Sequence, residues 1–480
     1  MDQRVDTLIR ERNYIDGAWV GEGALKVTNK ATGEEIARVP MMGVAETRAA
    51  IDAAATAFPA WAKRTAKDRS NLLRTWFNLI VENADKIAAI MTAEQGKPLA
   101  EAKGEVMYAA SFIEFYSEEA RRIYGETIPG FRPDSRAICI KQPIGVIAAI
   151  TPWNFPAAMI TRKVGPALAV GCTAVVKPAS ETPLTALALA ELAHQAGIPK
   201  GVLNVITGKA SVIGAELTSN PAVKMLTFTG STEIGKVLME QCAKTVKKVG
   251  MELGGNAPFI VFDDADLDKA VVGAMASKYR NAGQTCVCAN RIYVQESVYD
   301  AFAAKLTAAA NALKVGDGTE AGVTTGPLIN KAAVEKVEEH VADAVSKGAK
   351  IVAGGKRHKR GGNFFEPTVL TGVTSDMKIA REETFGPVAP LFKFKTEEEV
   401  IRLANDTEYG LASYFYSRDI GRVWRVAEAL EFGMVGINEG LVASSEVPFG
   451  GVKESGLGRE GSHHGVEEYL ELKYLLMGGL

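Results

Sequence analysis

Residues 144–156 read IGVIAAITPWNFP, an apolar run typical of a buried strand that ends in a loop with two prolines. A helical pattern near 157–170 follows, and TAVVKPA at 173–179 is a second strand that ends in a loop. VLNVITG at 202–208 and KMLTFTG at 224–230 repeat the arrangement. Short apolar strands separated by helices of about 10–15 residues indicate βαβ units and a parallel sheet.

The rest of the chain alternates in the same way. APFIVF at 257–262 and RIYVQ at 291–295 are strand candidates, and a helix is predicted between them over 267–280. Nearer the N-terminus, the spacing of Ala, Ile and Leu predicts one long amphipathic helix over 67–95. The pattern therefore predicts an α/β protein whose two halves form two α/β lobes.

The composition is that of an ordinary globular chain. Of 480 residues, 47% are hydrophobic and 23% charged, and the formal net charge is −2. Because the sequence has no basic block and no apolar run of about 18 residues, we expect neither nucleic acid nor membrane as a partner. The N-terminal MDQRVDTLIR lacks an apolar centre, so we expect no secretory signal. Five scattered cysteines do not make a disulfide framework, which favours the cytoplasm.

Two loops at predicted strand ends are candidates for binding a cofactor. Ligands of open α/β sheets bind beyond the carboxyl ends of the strands. TGSTEIG at 229–235 places Gly230 and Gly235 around a helix start, where backbone N–H groups bind phosphate. An ordinary capped turn between a strand and a helix is the structural alternative for this segment.

The KPAS loop at 177–180 points to the kind of nucleotide. Lys177 can reach ribose hydroxyls or a phosphate, and Ser180 stands where an acidic side chain would hold a ribose diol. Without a carboxylate at that position a 2′-phosphate meets no repulsion, which favours NADP. Glu181 is the next residue and weakens this inference.

Glu252 is a candidate general base. It ends the predicted strand KTVKKVGMEL and is followed in MELGGNAP by two glycines that allow a sharp turn. A carboxylate in an apolar, glycine-rich turn can have a raised pKa and accept a proton from water or a thiol. A surface glutamate at a strand end is the structural alternative.

Cys286, in GQTCVCAN at 283–290, is a candidate nucleophile. A zinc site needs further ligands at close spacing, and no histidine forms such a pattern with this cysteine and Cys288, so we expect no metal. A permanent disulfide between residues two apart would be strained. The polar neighbours Gln284 and Thr285 suit an accessible thiol, whereas a buried inert cysteine is the structural alternative.

Together these motifs resemble the NAD(P)-dependent aldehyde dehydrogenases. The resemblance covers nearly the whole chain and keeps the family's order of motifs. The motifs are TPWNFP, KPAS, FTGSTEIG, MELGGNAP, GQTCVCAN, EETFGP (382–387) and PFGGVKESGLGRE (448–460). Longer stretches such as ITRKVGPALA and KYRNAGQTCVCANR are most similar to the succinate-semialdehyde dehydrogenases of that family.

The resemblance implies a role for each catalytic candidate. Cys286 would attack the aldehyde carbonyl, and the side-chain amide of Asn154 with the backbone N–H of Cys286 would form the oxyanion hole. Glu252 would activate the water that hydrolyses the resulting thioester, which implies a free acid as product. Cys288 is a candidate redox partner that would close a reversible disulfide with Cys286.

The resemblance also implies the binding sites. The expected cofactor is NADP, with NAD as a second cofactor. Its implied contacts are Trp153, Lys177, Ser180, Gly230, Ser231, Gly235, Glu383 and Phe385. The substrate is expected to be succinic semialdehyde, and the implied contacts of its carboxylate are Arg162, Arg280, Ser444 and Ser445. Either arginine could instead be a structural ion-pair partner, and glutaric semialdehyde or a broader range of aldehydes are alternative substrates.

The implied fold is that of the aldehyde dehydrogenases, with two Rossmann-like three-layer lobes and a small β flap for oligomerisation. Residues 1–124 and 143–254 would bind the cofactor, and 255–465 would form the catalytic domain. Residues 125–142 and 466–480 would form the flap of a homo-oligomer, a tetramer built as a dimer of dimers. From the sequence pattern alone, the tail VEEYLELKYLLMGG either pairs with another subunit or is a simple edge strand.

A cysteine hydrolase or esterase is the alternative from a different class. Such an enzyme needs a histidine base and an orienting Asn or Asp. No histidine lies in any of the candidate motifs, and no GxSxG sequence for a serine hydrolase is found.

Overall fold

The computed structural model describes residues 7–480. Residues 1–6 belong to the predicted cofactor-binding segment and to the stretch considered for a secretory signal, and they lie outside the described residues. Within residues 7–480, no helix combines the length and the apolar character that crossing a membrane requires.

Strands and helices alternate through most of the described chain. The strands are β1 (Asn13–Ile15), β2 (Ala18–Val20), β3 (Leu25–Thr28), β4 (Glu35–Val39), β5 (Glu126–Ile128), β6 (Ser135–Pro143), β7 (Val146–Ile150), β8 (Thr173–Lys177), β9 (Leu203–Val205), β10 (Val223–Thr229), β11 (Lys248–Glu252), β12 (Ala257–Val261), β13 (Ala289–Gln295), β14 (Lys350–Ala353), β15 (Thr368–Thr371), β16 (Val388–Phe394), β17 (Tyr409–Gly410), β18 (Ala412–Tyr416), β19 (Met434–Ile437), β20 (Val452–Lys453), β21 (Gly456–Leu457) and β22 (Leu470–Gly478). The α-helices are α1 (Val44–Ala62), α2 (Ala66–Glu82), α3 (Ala84–Gln95), α4 (Leu99–Glu119), α5 (Ala158–Val170), α6 (Pro183–Gln195), α7 (Ala210–Ser219), α8 (Thr232–Ala243), α9 (Leu267–Tyr279), α10 (Tyr299–Asn311), α11 (Lys331–Ser346), α12 (Lys378–Arg381), α13 (Glu397–Asn405) and α14 (Ile420–Ala429). Short 3₁₀ segments cover Ala120–Arg122, Arg280–Gly283, Glu296–Val298 and His463–Tyr469.

The first large sheet has eight strands in the order β2-β1-β9-β8-β7-β10-β11-β21. Its five central strands, from β9 to β11, are parallel. The register aligns Ile150 with Lys177 on one side and with Phe228 on the other, and it aligns Thr229 with Glu252. The loops that carry four of the sequence motifs therefore leave one edge of this sheet, as the strand-end argument requires.

The second large sheet has seven strands in the order β14-β15-β16-β13-β12-β18-β19. All its pairs are parallel except that of β14 with β15. These two sheets with their helices confirm the predicted α/β fold class. The tail strand β22 pairs antiparallel with β6 from Leu470↔Pro143 to Gly478↔Ser135, in a separate sheet of order β22-β6-β5.

The prediction of one helix over 67–95 was wrong. Asn83 ends α2 with a non-helical backbone (φ −105°, ψ 15°), and its side-chain amide donates to Leu79 O over 2.9 Å. Residues on both sides of the break, such as Trp76 and Ile87, are buried in one apolar core, so the periodicity continues across it. Strand β11 is also shorter than predicted, because it begins only at Lys248.

Candidate active site

The loop before Cys286 has an unusual backbone. Asn281, Ala282 and Gly283 have positive φ angles of 51°, 54° and 75°. A Cβ atom added at Gly283 would lie 2.1 Å from the carbonyl oxygen of Gly386 in the EETFGP motif. Position 283 therefore requires glycine, and the loop is fixed against a segment about one hundred residues further along the chain.

The thiol of Cys286 is half-buried and free. Burial raises its pKa to about 12, while the guanidinium of Arg162 acts in the opposite direction. A Cβ atom at Gly255 would lie 2.5 Å from the carbonyl oxygen of Cys286. The turn that follows Glu252 thus packs directly on the backbone of the cysteine loop, which brings the two sequence motifs together.

Asn154 is buried and linked to the cysteine loop on both its side chain and its backbone. Its side-chain amide donates to Gln284 O over 3.1 Å. Its backbone carbonyl accepts from the side-chain amide of Asn281 (3.1 Å) and from Lys97 Nζ (2.8 Å). The structure therefore places the Asn154 amide against the backbone of Gln284, which is two positions before Cys286 in the chain.

A buried ion pair between Lys97 and Glu105 holds the loop that carries Asn154. Lys97 Nζ contacts Glu105 Oε2, and both side chains are about 1% exposed. Glu105 Oε1 accepts from the backbone N–H of Ala157 over 2.9 Å, at the start of α5. Lys97 Nζ also lies 4.0 Å from the centroid of the Phe155 ring. The pair thus fixes the loop on both sides of Asn154.

Glu252 is buried at the end of β11, and neither carboxylate oxygen has a hydrogen-bond partner among the described residues. Burial and the neighbouring Glu460 raise its pKa well above the ordinary value, against the opposing charges of Arg162 and Lys163. A Cβ atom at Gly450 would lie 3.0 Å from Glu252 Oε1. This carboxyl group therefore has both the environment and the free acceptor atoms that a general base needs.

Arg162 is fully buried and forms an ion pair with Glu460, which also contacts Lys163 Nζ. Burial alone would raise the pKa of Glu460, but Lys163 and Arg162 outweigh it and hold the pKa below its ordinary value. The Arg162 guanidinium also lies 4.1 Å from the Phe449 ring centroid. The structure thus engages Arg162 as an ion-pair partner, and direct substrate contact by this residue stays a prediction.

Arg280 lies instead at a cavity of about 300 Å³. Phe155, Tyr108 and Ala443 line the same cavity, and so do two carboxyl groups: Glu105, which is paired with Lys97, and Glu101. Arg280 forms no ion pair with any residue from 7 to 480, and its Nε atom is buried without a hydrogen-bond partner there. Its guanidinium carbon lies 5.4 Å from the Phe155 ring centroid. A guanidinium without a close ion-pair partner among the described residues therefore stands next to the Asn154 loop.

The two predicted serines follow Ala443 in the same segment. Ser445 is buried, and its backbone carbonyl accepts from Ser462 N over 2.7 Å. Ser444 contacts the carboxylate of Glu446. Ala443, the residue before these serines, lines the cavity, but the Ser444 hydroxyl is hydrogen-bonded to Glu446. Contact of either serine with the substrate therefore stays a prediction.

Lys177 and Ser180 lie at the carboxyl edge of the eight-stranded sheet. Lys177 is buried, burial lowers its pKa, and Glu181 partly offsets this effect. No ion pair joins Lys177 to a carboxylate of the described chain. A lysine ammonium and a serine hydroxyl at this edge fit an anionic dinucleotide, in which ribose hydroxyls or a phosphate would supply the acceptors.

The turn between β10 and α8 brings a helix start to the same edge. The Ser231 hydroxyl caps α8 by accepting from Ile234 N, and Gly230 N donates to Glu252 O over 3.0 Å. A Cβ atom at Gly235 would lie 2.4 Å from a Leu253 methyl carbon. Glycine at 235 therefore allows the helix start to approach the Glu252 turn closely, and this start is suited to hold a diphosphate.

Three further cofactor candidates meet between the two sheets. The rings of Trp153 and Phe385 pack edge to face, with centroids 5.5 Å apart, and Phe385 has a positive φ of 53°. Glu383 accepts from Gly255 N over 3.3 Å, and burial raises its pKa to about 7. The EETFGP motif therefore contacts both the TPWNFP loop and the turn after Glu252.

Cys288 is buried behind the cysteine loop, and its thiol donates to Lys278 O over 3.4 Å. Burial raises its pKa. Both cysteines are free thiols, so a bridge to Cys286 would require the loop to move. Among residues 7–480, no histidine side chain hydrogen-bonds to Cys286, as a cysteine hydrolase would require.

Sequence reasoning missed several residues of this site. Lys97, Glu105 and Tyr108 lie on or next to α4, a helix that was not predicted, and their segment carries no recognised motif. Glu460 was quoted within a motif but was given no role. The available signal was weak, because Lys97 and Glu105 stand in a segment with other charged residues, KPLAEAKGE at 97–105, and nothing in the sequence distinguishes the buried pair.

The comparison with known proteins agrees with this geometry. A family model described as the aldehyde dehydrogenase family matches residues 19–475. The chain belongs to this family. It is an NAD(P)-dependent oxidoreductase that acts on aldehydes.

Similar proteins of this family are named for more than one substrate. The chain is 67% identical to a glutarate-semialdehyde dehydrogenase of Pseudomonas aeruginosa, over 98% of this chain and 99% of the relative. It is 66% identical to an NADP(+) succinate-semialdehyde dehydrogenase of Escherichia coli, over 98% of each chain. The crystal structure of a succinate-semialdehyde dehydrogenase from Burkholderia pseudomallei matches with a TM-score of 0.98 and 63% identity, over 98% of this chain and 99% of that chain.

Proposed function

We propose that the protein oxidises succinic semialdehyde to succinate with NADP. The observation that carries the substrate is Arg280, a guanidinium without an ion-pair partner in the described chain, at a cavity beside the Asn154 loop. A guanidinium binds a carboxylate in a bidentate manner, which favours an aldehyde with an acid group at its far end. The names of the two enzyme relatives are consistent with this class of substrate.

The first chemical step is the attack of Cys286 Sγ on the aldehyde carbon. A new S–C bond forms, the thiol proton passes to Glu252 or to solvent, and the carbonyl oxygen becomes the oxyanion of a thiohemiacetal. The Asn154 amide and the Cys286 N–H donate to that oxygen. Loss of one such donor typically costs about 10²–10³ in rate. The Asn154 amide would leave Gln284 O, which is its partner in this structure.

Lys177, Ser180 and the start of α8 would hold the adenosine end and diphosphate of the cofactor. Trp153, Glu383 and Phe385 would hold its nicotinamide end. When bound, NADP would supply the hydride acceptor. The thiohemiacetal carbon would lose a hydride, that is two electrons and one proton, and become the carbonyl carbon of a thioester on Cys286.

Glu252 then removes a proton from water as the water attacks the thioester. The C–S bond breaks, the carboxylic acid is released, and the Cys286 thiol recovers a proton. The two carboxylate oxygens of Glu252 have no hydrogen-bond partner in the described chain, so they are available to a water molecule. A free acid is therefore the product that we propose.

Glutaric semialdehyde is the second candidate substrate, because one relative at 67% identity is named for it. It is longer than succinic semialdehyde by one methylene. A pocket discriminates such a difference by only about 1–3 kcal/mol. Both substrates present the same carboxylate to Arg280, so the proposal about this residue covers both.

We further infer that the β22-β6-β5 sheet joins subunits of a homotetramer in a reducing cytoplasm. Exposed apolar side chains of β22, including Leu472, Tyr474 and Met477, support an interface there. The two large sheets would then be the cofactor-binding and catalytic domains, within the residue limits given above. All five cysteines are free, which is consistent with a reducing compartment.

The change of Arg280 to Gln tests the substrate proposal. We expect kcat/KM for succinic semialdehyde to fall about 10–100-fold, since a hydrogen bond to a charged group contributes about 1.5–3 kcal/mol. Butanal, which lacks the carboxylate, should be oxidised at an unchanged rate. Steady-state formation of reduced cofactor measures both. Arg425→Gln, which removes an exposed guanidinium paired with Glu397, is the matched control.

The substrate proposal fails if wild-type enzyme oxidises butanal as efficiently as the two semialdehydes. It also fails if Arg280→Gln reduces the rates with all three aldehydes equally.

The change of Glu252 to Gln tests the hydrolytic step. We expect a burst of about one equivalent of reduced cofactor per active site, followed by turnover that is slower by about 10²–10⁴. Wild-type turnover should increase as pH rises through the raised pKa of Glu252, because only the deprotonated carboxylate accepts a proton. Stopped-flow absorbance measures the burst. Unchanged turnover in Glu252→Gln would contradict the role, and Glu338→Gln on the surface is the control.

The change of Ser180 to Glu tests the cofactor preference. A carboxylate at this position should repel a 2′-phosphate, so we expect kcat/KM for NADP to fall by about tenfold or more, with a smaller effect for NAD. Ser180→Ala separates the loss of the hydroxyl from the added charge. An unchanged NADP-to-NAD ratio in Ser180→Glu would show that position 180 does not contact the ribose phosphate.

The change of Cys288 to Ser tests the predicted redox bridge. Mild peroxide should inactivate the wild type, a dithiol should restore it, and mass spectrometry should detect a 286–288 crosslink. Cys288→Ser should lose activity without recovery, since Cys286 then lacks a resolving thiol. Complete inactivation of the wild type without that crosslink would reject the bridge.

A further inference from the structure

The hydroxyl of Tyr108 has no assigned partner in the described chain. Tyr108 lies on α4, its hydroxyl oxygen is shielded from solvent, and no described residue forms a hydrogen bond with it. Its ring packs on Phe112 with centroids 4.9 Å apart. A buried hydroxyl without a partner is destabilising, so a functional reason for this group is expected.

Tyr108 lines the same cavity of about 300 Å³ as Arg280. Phe155, which follows Asn154 in the chain, is also part of the cavity wall. Arg280 stands six positions before Cys286 in the chain, so the cavity that it shares with Tyr108 adjoins the cysteine loop. An aldehyde bound with its carbonyl at Cys286 would therefore extend its chain toward Tyr108 and Arg280.

Arg162 determines how the Tyr108 hydroxyl can be oriented. Its guanidinium is held by Glu460 and lies close enough to the hydroxyl to oppose the rise in the Tyr108 pKa that burial causes, but the two groups do not meet in ordinary hydrogen-bond geometry. A guanidinium has N–H donors and no acceptor, so the hydroxyl cannot direct its proton toward Arg162. Arg162 can only donate to the hydroxyl oxygen, so the hydroxyl proton stays available to an acceptor in the cavity that Tyr108 lines.

We propose that the Tyr108 hydroxyl donates a hydrogen bond to the distal carboxylate of the bound semialdehyde, beside Arg280. This inference rests on the proposed function, because it needs a substrate with that carboxylate. Arg280 supplies the charge, and Tyr108 supplies a directed donor that an uncharged aldehyde of equal length cannot use. The residue is thus a determinant of substrate specificity, and no step of the cysteine chemistry depends on it.

The change of Tyr108 to Phe in the full-length enzyme tests the inference. We expect KM for succinic semialdehyde to rise about tenfold with kcat nearly unchanged, and the rate with butanal to stay the same. Binding of succinate, measured by calorimetry without cofactor, should weaken by a similar factor. The variant should be at least as stable to heat as the wild type, because it loses a buried hydroxyl that has no partner.

Tyr116→Phe is the matched control on the same helix. Its hydroxyl donates to Ser462 O over 3.1 Å, so its removal should lower thermal stability and leave the ratio of semialdehyde to butanal efficiency unchanged. Tyr108→Phe should show the reverse pattern. Together the two variants separate a substrate contact from a structural hydroxyl.

The outcomes distinguish this inference from the proposed function. If wild-type enzyme shows no preference for the semialdehydes over butanal, the proposed function fails and this inference fails with it. If the wild type has the preference and Tyr108→Phe retains it in full, only the role of Tyr108 is overturned. Equal losses with both substrates, or unchanged succinate affinity, would also overturn it.

Discussion

The buried pair of Lys97 and Glu105 is the interaction on which the site depends. Removing one partner of such a pair leaves an uncompensated charge in the interior, which typically costs about 3–5 kcal/mol. Here each partner also bonds to the backbone around Asn154, through Asn154 O and Ala157 N. The charges therefore remain satisfied only while that loop has its present course. The position of the Asn154 amide follows from this electrostatic constraint.

Two neighbouring carboxyl groups, Glu252 and Glu460, have pKa values shifted in opposite directions. Glu252 and Glu460 are both buried, yet the pKa of Glu252 is raised and that of Glu460 is lowered. Arg162 and Lys163 contact Glu460 directly, so it holds the cations and stays charged. Glu252 is left with burial and a nearby negative charge, and both favour its protonated form. The arrangement leaves one carboxyl group that is protonated more readily than usual beside one that stays charged.

The sequence predicted the α/β fold class because strand and helix periods alternate clearly, and the motifs at strand ends meet as the parallel register requires. It missed the break at Asn83, since one apolar core covers both flanking helices and the period is not interrupted. It also missed α4, where the buried carboxylate of Glu105 interrupts the apolar face. The proposed role of Tyr108 could not be predicted from the sequence. It rests on a buried hydroxyl without a hydrogen-bond partner among the described residues, which only the structure shows.

The cysteine loop is held by contacts between segments that are distant in the chain. Asn154 and Gln284 are 130 positions apart, and Gly283 touches Gly386. Contacts of such long sequence separation require the chain to lose the entropy of closing large loops. The oxyanion donors and the thiol thus come together only when segments that border the two large sheets are in contact. A nascent or partly folded chain would hold a cysteine without its catalytic surroundings, so the reactivity of this thiol arises together with the completed fold.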